Sequence, residues 1–135
     1  MTMPLLLLLA AAATTQTVPA DRPSVDRGQW AEVQRTDTET TYLDVANIDR
    51  SGDHRLIWLR ADYVKTSGET GDSRIFFMLD LDCGARAYSM TRYIGYDHAG
   101  QVTNEGIVPA ERRQTARIES DGLWTNIEAR ACRQP

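Results

Sequence analysis

Asp80 and Asp82 stand two residues apart in a stretch whose apolar side chains alternate. On a strand, both carboxylates share one face, about 7 Å apart. Paired carboxylates can carry acid–base chemistry. They are also the ordinary charges of a solvated strand face. His54 and His98 each lie beside a turn and an aspartate. A Ser-His-Asp hydrolase needs an ordered triad or a nucleophile elbow. No Gly-x-Ser-x-Gly occurs, and Ser51, Ser67, Ser73 and Ser89 lack a supporting context. Residues 49–53 (Asp-Arg-Ser-Gly-Asp) are rich in oxygen. They lack the alternating ligands and distant glutamate of a calcium loop. They read as a hairpin turn in which Gly52 takes positive φ. From these residues we assign no catalytic group, no metal ligand and no cofactor, and read the chain as a non-enzyme.

Cys83 and Cys132 are the only cysteines. No Cys-x-x-Cys is present, and neither histidine has ligand spacing to them. In an exported chain an even cysteine count reads as a disulfide. Such a bridge closes a loop of about fifty residues, which the chain-entropy model values at roughly 4 kcal/mol.

Export is read from the N-terminus. Residues 3–13 form an apolar run dominated by five consecutive leucines and four alanines. That run is too short for a membrane span of about twenty residues and suits the hydrophobic region of a signal peptide. Val18-Pro19-Ala20 places small residues ahead of a cut before Asp21. No cysteine lies near that cut to carry a lipid. The organisation expected is a signal peptide over 1–20, a loose lead-in over 21–28 and a single domain over 29–135. The product is periplasmic or secreted, with no membrane span in its mature form.

The elements follow from patterning. Short strands are expected over 29–33 and 41–45, and a long one over 54–64. Residues 65–73 hold two glycines among polar residues and read as an exposed loop. Over 74–83, Ile75, Phe77, Leu79, Leu81 and Cys83 alternate with Phe76, Met78, Asp80 and Asp82. This period of two marks a strand with one buried face, and places Cys83 on it. A further strand over 86–96 is expected to show Tyr88, Met90, Ile94 and Tyr96 on one face. A weaker strand spans 101–108. Ser120 and Asp121 suit a helix N-cap. Leu123, Trp124, Ile127 and Ala131 then recur at near-helical spacing beside Cys132. The fold class expected is α+β: an antiparallel sheet of about six strands, a C-terminal helix on one face, and the Cys83–Cys132 bridge.

Charge narrows the partners. Fifteen cationic and nineteen acidic side chains give a net charge of −4. That balance argues against nucleic acid and against anionic lipid. Trp58, Tyr63, Tyr88, Tyr93 and Tyr96 concentrate aromatics in the central sheet, as core filling or as a binding face. Phe76 and Met78, on the outer face, leave an apolar patch unless covered. They are the expected interface residues, for a homodimer or for a covering helix.

The order of Trp30, Tyr42-Leu43-Asp44, Ile48, Gly52, Trp58, Asp62-Tyr63, Asp82-Cys83, Arg86, Tyr93, Trp124-x-x-Ile127 and Cys132 resembles the surface-adhesin protein E-like domain family. These are small exported proteins of Gram-negative bacteria. The resemblance covers roughly residues 28–133. It implies an antiparallel sheet with a helix packed on it, and the same cysteine link. It also implies a non-catalytic interaction protein, since the founding adhesin is dimeric and binds host matrix and serum proteins. The chain departs in its polar loops at 65–73 and 97–105 and in lacking a lipid-attachment cysteine. The alternative expectation is a periplasmic binder of a small ligand or lipid, with a cavity between helix and sheet. Intact mass and N-terminal sequencing of the exported protein are expected to show Asp21 as its first residue; an N-terminus still carrying the leucine run would overturn the cleavage assignment.

Overall fold

A computed structural model of the protein describes residues 23–65 and 71–133. The expected signal peptide lies outside those residues. The described chain runs β1 (Trp30–Arg35), β2 (Glu39–Asp44), β3 (Asp49–Ser51), β4 (His54–Tyr63), β5 (Arg74–Asp82), β6 (Ala87–Tyr96), β7 (Val102–Ile107), a 3-10 turn (Ala110–Arg112), β8 (Ala116–Arg117) and α1 (Gly122–Ala131). All strands pair antiparallel in one curled sheet of order β1-β2-β4-β5-β6-β7. The short β3 and β8 add to β4 and β6. Six main strands, one helix and one disulfide match the expected α+β layout.

β4 is central, and both of its faces are buried. Ile57, Leu59 and Ala61 turn one way; Trp58 and Arg60 turn the other, and all five are buried. This explains the unbroken Ile57-Trp58-Leu59 run, since a strand covered on both sides need not alternate in polarity. The inner face carries the main core: Val33, Leu43, Ile57, Leu59, Leu79 and Leu81 from the sheet, with Ile118 and the helix residues Trp124, Ile127 and Ala131. Tyr88 of β6 stacks on Trp124 with ring centroids 4.2 Å apart.

α1 begins where Asp121 accepts a hydrogen bond from the Trp124 N–H at 3.0 Å, which satisfies one of the orphan donors of its first turn. Its apolar stripe faces the sheet, and three polar contacts fix its position. Asn126 Nδ2 donates to the Val33 carbonyl at 2.7 Å, at a bulge in β1. Arg55 Nε donates to the Ala131 carbonyl at 3.0 Å. Arg86 forms a bidentate pair with Glu128 at 2.8 and 3.1 Å. Arg86 holds φ at +51°, a conformation costly for a side chain of this size. Its carbonyl accepts from Ile118 and its guanidinium holds Glu128, so both ends of this strained residue are in use. The Arg86 hydrogen bonds hold the Glu128 carboxyl below the ordinary carboxylate range.

Two expectations need correction. Residues 49–51 are a strand paired to β4, and the tight turn is confined to Gly52 and Asp53. Tyr88, Met90, Ile94 and Tyr96 do not share a face. Met78 pairs with Arg92 while Leu79 pairs with Met90, so Thr91 is an extra residue in β6. Its hydroxyl donates to the Met78 carbonyl. A bulge of this kind reverses the alternation. Tyr88 therefore faces the helix, whereas Ile94 and Tyr96 pass to the outer face beside Phe76.

The Cys83–Cys132 bridge joins the turn after β5 to the end of α1, with Cα atoms 5.7 Å apart and a sequence separation of 49. Replacing both cysteines by serine is expected to cost about 3–4 kcal/mol, as a lower urea midpoint with a somewhat steeper slope, because the unbridged chain exposes more surface on unfolding. A loss below about 1 kcal/mol would mean that side-chain packing alone holds the helix.

Candidate functional site

The outer face of the sheet is built around a charge. Arg60 sits mid-strand in β4 with its side chain only 8% exposed. Its guanidinium carbon lies 4.1 Å from the Tyr42 ring centroid and 5.1 Å from that of Trp30. Strand register explains the contact: Tyr42 is directly opposite Arg60 on β2, and Trp30 projects to the same side from β1. Burying such an ion is costly unless its donors are engaged. Nε and Nη2 both bond Asp62, at 3.1 and 3.2 Å. Arg74 engages the same carboxylate at 2.7 and 3.2 Å, so Asp62 is shared by two guanidinium groups.

The stack continues across the face. Trp30 lies 5.6 Å from Phe76, and Phe76 meets Tyr96 edge-on at 5.8 Å. Tyr42, Arg60, Trp30, Phe76 and Tyr96 thus form a continuous row over five strands. The segment ahead of β1 is drawn onto this row, because Trp30 Nε1 donates to the Ser24 carbonyl at 3.2 Å. Gly28 is the residue that allows this close approach. A Cβ there would come within 2.5 Å of Trp30 Nε1.

Among the described residues, three grooves on the outer face stand out. One, of about 490 Å³, is lined by Leu56, Trp58, Met78 and the segment around Gly28. A second, of about 340 Å³, continues over Leu56 and Met78 to His54, Asp80 and Arg113. These two share Asp49, Leu56 and Met78 and make one trough along β4 and β5. The third, of about 700 Å³, lies past Ser24 and is lined by Arg74, Phe76, Tyr96 and His98. None of the three is lined by α1. Between helix and sheet, Leu43, Ile57, Leu81 and Ile127 are closed from solvent.

The residues singled out in the sequence fall as follows. Phe76 is 2% exposed, covered by Trp30 and Tyr96 and not by a helix. Met78 is half-buried and lines the trough. Asp80 and Asp82 share the outer face and flank one imidazole: His54 Nδ1 is 2.9 Å from Asp80, and Nε2 is 3.8 Å from Asp82. The Asp80 hydrogen bond, with the charge of the same carboxylate, raises the His54 pKa above its ordinary 6.5. His98 lies apart, in the turn after β6. Among the described residues no group of His, Cys, Asp and Glu is arranged to hold a metal ion. Arg60 and Trp30 escaped the sequence reading as functional residues. The available signal was an arginine between Leu59 and Ala61, interrupting the apolar stretch 56–61.

A family model described as surface-adhesin protein E matches residues 30–133. The chain belongs to the surface-adhesin protein E family. The matched span starts at Trp30 and encloses both cysteines, so it takes in the aromatic row and the bridge alike. No curated protein matches the chain. Membership in an adhesin family and a closed disulfide fit an exported protein, and the family points to protein interactions rather than catalysis. No helix among the described residues is long and apolar enough to cross a membrane.

Arg60→Met keeps the bulk of the side chain and removes its charge, leaving Asp62 with Arg74 alone. It is expected to cost no more than about 1–2 kcal/mol, because Asp62 is partly exposed and keeps its pair with Arg74, so no buried charge is left alone. Arg60→Ala leaves a hole between Tyr42 and Trp30 and is expected to cost about 3 kcal/mol or more. Urea unfolding of both variants checks the order, and equal losses would contradict a packing role for the stack.

Proposed function

We propose that this member of the surface-adhesin protein E family is a non-catalytic exported protein that binds another protein through the outer face of its sheet. Cleavage near Ala20 releases it to the periplasm or the medium. The observation that carries this reading is the trough floored by Leu56, Trp58 and Met78. Leu56 is 38% exposed although it opens the apolar run Leu56-Ile57-Trp58-Leu59 of the central strand. Trp58 and Met78 lie beside it in direct cross-strand register. A tryptophan and apolar side chains on the floor of a concave surface, with arginines and other polar groups at the rim, is the composition of a protein-binding hot spot. Arg92 stands 5.9 Å from the Trp58 ring, and Arg27 and Asp49 stand at the rim.

The rigid row beneath supports that surface. Phe76 is locked between Trp30 and Tyr96 and holds the sheet floor in place, while Met78 is the residue a partner touches. The same face serves a second copy of the chain or a different envelope or extracellular protein. Light scattering on the eluting peak distinguishes these two occupants.

Met78→Asp tests the reading. The wild-type mature domain and the variant are immobilised and challenged with periplasmic extract, culture supernatant and purified matrix proteins. The expected outcome is at least one protein retained by wild type, with binding weakened tenfold or more in the variant while its circular dichroism is unchanged. A tenfold loss corresponds to about 1.4 kcal/mol. Equal retention by both proteins would place the interaction elsewhere.

A further inference from the structure

His54 is the first residue of β4, where the strand leaves the turn at Gly52 and Asp53. Its ring lies on the outer face above β5. Each ring nitrogen faces a different carboxylate, Asp80 at 2.9 Å and Asp82 at 3.8 Å. Only the imidazolium carries N–H groups on both nitrogens. The neutral ring keeps one donor and turns a lone pair toward the other carboxylate. The geometry therefore suits one protonation state and opposes the other.

The surroundings reinforce the choice. Asp53 adds a third negative charge from the turn itself. Asp82 is fixed in place by the Ala85 N–H, which donates to its Oδ1 at 3.0 Å. Asp49 and Arg50 of β3, and Arg113 beyond the 3-10 turn, line the same groove as His54. Ser51 faces His54 across the hairpin, and Ser89 of β6 is opposite Asp80; neither carries charge. On the inner side, Arg55 donates to the Gly52, His54 and Ala131 carbonyls. The Cys83 N–H donates to the Asp53 carbonyl at 2.8 Å. The hairpin tip is thus pinned from the inner side by Arg55, along the chain by Cys83, and from the outer side by His54. Of these three pins only the imidazole titrates near neutrality.

We propose that His54 is a pH-sensitive latch: as imidazolium it clamps the β3–β4 hairpin to Asp80 and Asp82, and as neutral imidazole it lets one of the two carboxylates go. Because the pKa in the folded protein is raised above 6.5, the added stability is complete below 6.5 and is lost as the pH climbs through the raised value. Opening adds one unit of negative charge to the groove that His54 shares with Leu56 and Met78. The latch concerns the hairpin alone and holds whether or not a partner docks on the outer face.

The test is NMR between about pH 5 and 9, the range over which histidine switches. It follows the His54 ring and the backbone amides of Ser51, Gly52 and Asp53 in wild type, Asp80→Asn and His54→Gln. The His54 midpoint is expected above 6.5 in wild type and lower in Asp80→Asn. The three hairpin amides are expected to shift with that same midpoint in wild type and to lose the step in His54→Gln. A His54 midpoint at or below 6.5, a midpoint unmoved by Asp80→Asn, or a hairpin step that persists in His54→Gln would each overturn the latch. Both substituted side chains lie at the surface, and dispersed amide spectra of the variants confirm that the fold is retained.

Discussion

The two faces of one sheet are covered by different means, and that division depends on where α1 is held. The Cys83–Cys132 bridge ties the last turn of the helix to the turn after β5, and Asn126 and Arg55 fix it over the inner face. Once the helix is held there, the outer face of β4 and β5 must be covered by something else. The chain uses a row of rings around a single guanidinium, with the segment before β1 laid across it. What that segment does not cover is the trough over Leu56 and Met78.

Arg60 illustrates how a charge can be a packing element. Set against the Tyr42 and Trp30 rings and forked onto Asp62, it fills the space beside them as an aromatic side chain would. The planar guanidinium suits this role because it stacks and donates in one plane at once. Arg86 shows a second use of the same group, bridging a strained turn to the helix through Glu128. Both arginines work through shape as much as charge.

Much of this was readable from residues alone. The period of two over 74–83 placed Cys83 inward, and the Trp124, Ile127 and Ala131 stripe placed the helix, because each signal is local and unbroken. What escaped was whatever depends on register. Nothing in Met90-Thr91-Arg92 announces a bulge, since an extra residue is defined only against its partner strand. The Arg60 stack needs Tyr42, Trp30 and Arg60 to arrive on one face from three strands, which no single segment encodes. The pairing of His54 with Asp80 and Asp82 is of the same kind: 26 and 28 residues separate groups that stand side by side in the sheet. Asp80 and Asp82 looked like a solvated pair because the cation that completes them comes from another strand.

The bridge spans 49 residues of sequence, and that span includes β6, β7, β8 and the helix. The exposed stretches at 97–105 and 110–115 both lie inside it. A protease that cuts either one therefore does not separate the domain into pieces. The two fragments stay joined by sulfur, and the remaining backbone pairing still registers them against each other. Such a molecule can lose the continuity of its main chain and keep the outer face of its sheet.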